Sequence, residues 1–133
     1  MKIIVGYDGS DTAKRALERT ATLAGASDQI VVVAAAEPHT RSGITTGSHL
    51  DPSEFQQRRE DLEEAQRFFS EKNINVEAVE PQGDPGTHIV EAAKGADLII
   101  VGSRGLNPVK RILLGSVSSK VVHRAECDVL VVR

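Results

Sequence analysis

Residues 102–120 combine residue types whose spacing best fits binding of a phosphate group. They read GSRGLNPVKRILLGSVSSK, with two glycines three positions apart and, after nine further residues, a third glycine followed by serine. Glycine lets the main chain approach a ligand and adopt positive φ, which we expect of Gly102 and Gly105. A helix beginning at Gly115 and Ser116 would present N–H groups and a favourable dipole to an anion. The spacing predicts a phosphate site, although such glycines also serve ordinary strand–helix connections.

The elements that must position this stretch alternate along the chain between strands and helices. Short apolar runs predict strands, and amphipathic segments that begin at capping residues predict helices. The predicted strands cover residues 2–7, 29–37, 74–79, 97–103 and 127–132. Since parallel neighbours require crossovers that can hold a helix, we expect one domain over residues 1–133. Its fold should be doubly wound α/β, with a five-stranded parallel sheet in the order 3-2-1-4-5 and helices on both faces.

In such a sheet the strand order reverses between strands one and four, and ligands bind outside the carboxyl ends of the strands at that point. The segments that follow these two strands are YDGS and VGSRG, so Asp8 and Gly102 should be neighbours across the crevice. Asp8 suits a ribose hydroxyl or a magnesium ion better than a phosphate. The hydroxyls of Ser116 and Ser118 can donate further hydrogen bonds. A nucleotide would satisfy both ends of this crevice.

Composition excludes several other classes of function. The net charge is −3 and aromatic residues make up 3%, which argues against broad binding to nucleic acid or to an anionic membrane. There is no apolar run of about 20 residues and no signal-peptide pattern, so we expect a cytoplasmic protein without direct membrane insertion. Cys127, the single cysteine, is expected to be inert. His39 and His49 share a loop but have no partner at a ligand-like spacing, so no protein metal site is predicted.

Four stretches of this chain resemble the universal stress protein family, in order and over nearly its whole length. They are VGYDGS at the start, DLIIVGSRG in the middle, the G-x2-G-x9-G-S pattern and VVHRAECDVLVVR at the end. The glycine pattern resembles that of the ATP-binding subgroup. The resemblance implies a buried ATP, or ADP or AMP, accompanied by magnesium.

Carried over position by position, the resemblance implies a set of nucleotide contacts and no catalytic residue. Asp8 would contact the ribose or adenine side, and Ala35 would meet the adenine edge through its main chain. Arg104 extends from the same loop and is a further candidate for the phosphates. The full set is Gly6, Tyr7, Asp8, Ala35, Gly102, Ser103, Arg104, Gly105, Gly115, Ser116, Val117 and Ser118.

The resemblance also implies a homodimer through strand five, residues 127–132. Asp128 stands where the family usually has proline, which bears on the dimer edge. Asn107 and Pro108 lie between the second and third glycines, where proline removes one N–H. The loop of residues 38–50 carries no family signature. The long predicted helix, residues 51–72, has an apolar face of Phe55, Leu62, Ala65 and Phe69, and its charged face is expected to be solvated.

The leading hypothesis is an ATP-binding sensor or regulator in which nucleotide occupancy changes the surface shown to a protein partner during stress. One alternative is a slow ATP hydrolase or self-phosphorylating enzyme that uses Asp8 and bound magnesium. A second alternative is a ligand-free dimeric interaction module whose glycines serve only the turns. Analysis of small molecules released from the purified protein discriminates the last alternative from the other two.

Overall fold

The computed structural model describes residues 1–36, 52–81, 83–105 and 114–133, without the side chains of residues 52–54. The predictions for residues 38–50, including His39 and His49, and for Asn107 and Pro108 lie outside these ranges. The strands and helices, numbered in chain order, are β1 Lys2–Tyr7, α1 Asp11–Leu23, β2 Gln29–Ala34, α2 Pro52–Ser70, β3 Val76–Val79, α3 Pro85–Ala92, β4 Leu98–Gly102, α4 Ser116–Arg124 and β5 Asp128–Val132.

The five strands form one parallel sheet in the order β3-β2-β1-β4-β5, which confirms the predicted topology. The central strand β1 pairs with β2 from Lys2–Gln29 to Tyr7–Ala34. On its other side β1 pairs with β4, beginning at Ile3–Leu98. The carboxyl ends of β1 and β4 are therefore adjacent at the point where the strand order reverses.

Helices cover both faces of the sheet, because the central strands are apolar on both sides and must be shielded from water. On one face α1 packs over β1, β4 and β5, and α2 packs over β1, β2 and β3. On the other face α3 packs over β1 and β2, and α4 packs against α3 and β5. The first core contains Ile3, Val5, Ala16, Leu17, Leu62, Ala65 and Phe69, and the second contains Ile4, Val31, Val33, Ile89, Ile99 and Val121. None of the helices in the described ranges is long and apolar enough to span a bilayer.

Local chemistry explains where three of the helices begin. Ser10 caps α1 by accepting from the Ala13 N–H, and Asp84 caps α3 by accepting from the Thr87 N–H. Helix α4 begins after Gly115, which has no side chain to cap it. The N–H groups of the first turn of α4 thus receive no capping hydrogen bond from their own N-cap side chain.

Candidate functional site

The candidate site lies at the carboxyl edge of the sheet, between the segments that follow β1 and β4. Asp8 follows β1, and its Oδ1 accepts a hydrogen bond from the Ser10 N–H at 2.9 Å. A Cβ built on Gly105 would lie 3.3 Å from Asp8 Oδ2. The structure thus brings Asp8 beside the tail of β4, as the strand order implies.

Hydrogen bonds join the end of β4 to the start of α4. The Gly115 N–H donates to the Ser103 carbonyl at 2.7 Å, while the Ser103 N–H donates to the Val132 carbonyl at 2.7 Å. The Ser118 hydroxyl lies 3.2 Å from the Ser103 carbonyl and 3.1 Å from that of Gly115, and it donates to both. Because Ser118 is only 3% exposed, its hydroxyl holds the loop together. The loop carbonyls therefore explain the position of this hydroxyl, and its donation to a ligand stays a prediction.

Close packing requires glycine at Gly102, and none of the three motif glycines has a positive φ. Positive φ among the described glycines occurs at Gly9, Gly83 and Gly95, so the positive φ expected of Gly102 and Gly105 is wrong. A Cβ on Gly102 would lie 2.4 Å from Thr12 Oγ1 and 2.8 Å from the Ala13 nitrogen. Gly102 is thus explained by the approach of β4 to the first turn of α1.

Two hydroxyl groups that sequence reasoning missed hold the loop after β4. Thr12 Oγ1 donates to the Arg104 carbonyl at 2.7 Å, and Ser10 Oγ donates to the same carbonyl at 3.2 Å. The Arg104 N–H in turn donates to Thr12 Oγ1 at 3.3 Å. These bonds fix the Arg104 main chain while its side chain remains exposed at the rim. The serine and threonine that closely follow the Asp8–Gly9 turn are the sequence feature from which these hydrogen bonds could have been predicted.

Tyr7 and Ala35 lie beside each other at the ends of β1 and β2. The Ala35 N–H donates to the Tyr7 carbonyl at 2.7 Å, which continues the strand pairing past β2. The Tyr7 side chain is fully buried in the core, so only its main chain lies at the edge of the sheet. Gly6 has a packing role, because a Cβ there would lie 3.0 Å from Ile89 Cδ1 and 3.1 Å from Val101 Cγ1.

The charged face of α2 is solvated at Arg59, Glu60, Glu63 and Arg67, as predicted, but the structure corrects the prediction at two charged residues that are buried. Arg58 is 1% exposed, and its guanidinium donates to the carbonyls of Ala36, Pro81 and Gly83 at 3.0 to 3.5 Å. These carbonyls follow β2 and β3, so Arg58 joins the ends of two strands next to Ala35. Phe55, predicted on the buried face, is 43% exposed, while Leu62, Ala65 and Phe69 are buried as expected.

Asp61 is a second buried charged residue on α2, and it lies under the turn after β1. It is 2% exposed, its Oδ1 accepts from Gln57 Nε2 at 3.0 Å, and its Oδ2 has no hydrogen-bond partner within the described residues. Oδ1 also lies 3.2 Å from the position that a Cβ on Gly9 would occupy. Burial raises the pKa of Asp61 to about 6, assisted by the negative charges of Asp8 and other nearby acids and opposed by the Gln57 hydrogen bond.

Other titratable groups near the crevice have simpler explanations. Burial, with the neighbouring Glu64, raises the pKa of the Tyr7 phenol well above its ordinary value. Burial likewise raises the pKa of the Cys127 thiol, which agrees with the inert role predicted for it. In the ranges that the structure describes, no three acidic, histidine or cysteine side chains are grouped so as to hold a metal ion.

Comparison with known proteins gives consistent relatives over the whole chain. The model of the universal stress protein family matches residues 1–133. A universal stress protein of Thermus aquaticus is 38% identical, with 98% of this chain and 97% of the relative covered. The universal stress protein YxiE of Bacillus subtilis is 33% identical, with 99% and 98% covered. A crystal structure of a universal stress protein in complex with cAMP aligns with a TM-score of 0.72 at 28% identity, covering 100% of this chain and 97% of that one.

Proposed function

The chain belongs to the universal stress protein family, and on that premise we propose that it binds ATP in the crevice between β1 and β4. The observation that carries the proposal is the hydrogen bond from the Gly115 N–H to the Ser103 carbonyl at 2.7 Å. Through this bond the start of α4 lies against the end of β4, opposite Asp8. The related structure that contains cAMP supports an adenine nucleotide as the ligand.

The phosphates would lie at the start of α4. Ser10 and Asp84 cap α1 and α3 with their side chains, whereas α4 has no side-chain cap, so a phosphate can take that place. The N–H groups of Ser116, Val117 and Ser118 belong to this first turn. Arg104, exposed at the rim, supplies a positive charge to the same region.

The nucleoside would lie across the ends of β1 and β2. Asp8 accepts a hydrogen bond from a ribose hydroxyl, and the main chain around Ala35 faces the adenine edge. The main chain of Gly6 and Tyr7 lines the crevice between Asp8 and Ala35. Magnesium accompanies the triphosphate and keeps phosphate oxygens and water as its ligands, so no protein ligand is assigned to it.

The energetics of this arrangement suit a micromolar site. Such a site needs about 8 kcal/mol of net binding free energy. Charge-assisted hydrogen bonds from the α4 amides contribute about 1.5 to 3 kcal/mol each before ordering costs are subtracted. Nucleotide occupancy then acts as a signal, because the bound and empty forms present different surfaces to a protein partner in the stress response.

The test is mass spectrometry of small molecules released by denaturing the purified protein, followed by ATP calorimetry. We expect ATP, ADP or AMP in the released fraction and loss of ATP binding in Gly115→Val, whose branched side chain crowds the loop. Gly25→Val is the matched control, because Gly25 is exposed and a Cβ there would meet only Asp28 Oδ2, at 3.6 Å. Absence of nucleotide together with no ATP binding in calorimetry would refute the proposal and favour the interaction module. Equal ATP affinity in Gly115→Val and the unmodified protein would refute the phosphate site at α4.

The slow hydrolase alternative is tested by ATP turnover. Turnover at ordinary enzyme rates that is lost in Asp8→Ala would establish the enzyme in place of the sensor. The turnover rates of Asp8→Ala and the unmodified protein are compared at saturating ATP. A weaker affinity of the variant for ATP then does not lower its rate, so the result is independent of the binding measurement.

We also propose that the protein is a homodimer through β5. This strand is at the edge of the sheet, paired with β4 on one side, and its Val129, Leu130 and Val131 are only partly buried. No strand among the described residues pairs with its outer edge, and such an apolar edge is a template for strand pairing with a second copy. Sedimentation equilibrium should give twice the chain mass, and a monomer at micromolar concentration would refute the assignment.

A further inference from the structure

We propose that Asp61 couples proton binding to nucleotide binding, taking up a proton when an anionic nucleotide occupies the crevice above Gly9. The inference rests on the proposed function, since it concerns the regulation of that site. It assigns a role to a buried carboxyl group on α2 that the binding proposal itself does not use.

The first argument is position. Asp61 Oδ1 lies 3.2 Å from where a Cβ on Gly9 would be, and Gly9 has a φ of 82°. The left-handed glycine lets the turn lie directly on the carboxyl group. Asp8, the proposed ribose contact, precedes Gly9 and is held by the Ser10 N–H at 2.9 Å. Asp61 is therefore separated from the ligand position by a single turn of main chain.

The second argument is the lack of a compensating partner. Asp61 is 2% exposed, and Gln57 donates to Oδ1, while Oδ2 has no hydrogen-bond partner in the described ranges. Burying an ionised carboxylate in this way is costly, so burial favours the neutral form more than it is favoured in a solvent-exposed aspartate. The carboxyl group thus meets the main condition for a proton-binding site at moderate pH.

The third argument is the sign of the surrounding charge. Among the described residues, the elements packed around Asp61 carry Tyr7 and Asp8 in β1 and its turn, Lys14 in α1, and Arg58, Glu60 and Glu64 in α2. Lys14 is half exposed and pairs with Glu64 at 3.8 Å, and Arg58 donates to the carbonyls after β2 and β3. Asp8, Glu64 and Glu60 act on Asp61 as like charges.

The direction of the coupling follows from these charges. Asp61 has a pKa of about 6 in the absence of ligand, so it is largely ionised at pH 7. The negative charges of ATP raise this pKa further, and the protein takes up protons as ATP binds. Affinity should accordingly fall as the pH rises from 6 to 8. A pKa that is one unit higher in the bound state corresponds to about a fivefold loss over this range.

The experiment is ATP calorimetry at pH 7 in buffers of different ionisation enthalpy, which measures proton uptake. The terminal phosphate itself titrates near pH 6 to 7, so the informative quantity is the difference between the unmodified protein and Asp61→Asn. We expect lower uptake and a flatter pH dependence of affinity in Asp61→Asn. Glu63→Gln is the matched control, because it removes an exposed carboxylate two positions away that does not act on Asp61, and it should retain the uptake.

Carboxyl 13C NMR of aspartate-labelled unmodified protein gives a second measurement that does not depend on a variant folding. One aspartate should titrate near pH 6 and shift to higher pH when ATP is added. ATP binding with equal proton uptake in the unmodified protein and Asp61→Asn, or no shifted aspartate titration, would overturn the coupling and leave nucleotide binding intact. Failure of the unmodified protein to bind ATP would overturn both proposals.

Discussion

Replacing Gly102 by alanine tests whether the first motif glycine serves packing before it serves a ligand. The added Cβ would lie 2.4 Å from Thr12 Oγ1, 2.8 Å from Thr12 C and 2.8 Å from the Ala13 nitrogen. Two of these atoms belong to the backbone of the first turn of α1, which cannot move without shifting the helix from the sheet. The variant should be destabilised even when no nucleotide is present.

The magnitude follows from two contributions. Overpacking a well-packed contact costs about 1 to 3 kcal/mol of unfolding free energy. The same displacement weakens the 2.7 Å hydrogen bond from Thr12 Oγ1 to the Arg104 carbonyl, which is worth about 0.5 to 1.5 kcal/mol. The expected loss for Gly102→Ala is therefore about 2 to 4 kcal/mol.

Gly115→Ala provides the matched control within the same motif. A Cβ there would lie 3.4 Å from the Gly105 nitrogen and 3.5 Å from Arg104 Cα, which are ordinary contacts. Gly115 has φ −70° and ψ 170°, a conformation that alanine adopts readily. Alanine is a weaker N-cap than glycine, which lowers stability. It also reduces the entropy of the unfolded chain, which raises the free energy of unfolding by about 0.4 to 1 kcal/mol, so the net change in stability should be small.

Urea unfolding followed by far-UV circular dichroism measures both variants, since the chain has no tryptophan. All samples should have one protein concentration and no nucleotide. With a slope of about 1 to 3 kcal/mol per molar urea, Gly102→Ala should unfold at a midpoint lower by about 1 M or more. A Gly102→Ala protein within about 0.5 kcal/mol of the unmodified protein, or an equal loss in Gly115→Ala, would refute this reasoning.

Three further predictions concern groups inside the protein. Arg58→Met should lose about 2 to 4 kcal/mol in urea unfolding because buried carbonyls lose their donors, whereas the exposed Arg59→Met should change little. Ser118→Ala should lose about 1 kcal/mol and less than tenfold in ATP affinity by calorimetry, because its hydroxyl bonds within the loop. The raised pKa of Asp61 means that the folded state binds the proton more tightly than the unfolded state, whose value is 3.8. Relative to Asp61→Asn, stability should thus fall by about 2 kcal/mol between pH 4 and pH 8, which thermal unfolding will measure.

Local sequence was sufficient to predict the order of elements. The runs at residues 3–5 and 30–33 are apolar without alternation, which indicates strands buried on both faces. Ser10 and Asp84 cap α1 and α3, and serine and aspartate are residue types that favour this position. These features depend on neighbours within a few positions, so they can be read from the chain, and with the strand order they locate the crevice beside Asp8.

Tertiary structure decided which polar groups became buried and what each glycine contacts. Arg58 and Asp61 lie in a strongly charged segment that has the pattern of a solvated helix, yet Arg58 binds carbonyls 22 to 25 positions away and Asp61 lies against Gly9. Gly102 resembled a ligand-binding glycine, yet its nearest contact is Thr12 on α1. Burial depends on which distant segments pack together, and hydrophobic periodicity within one helix carries no information about those partners.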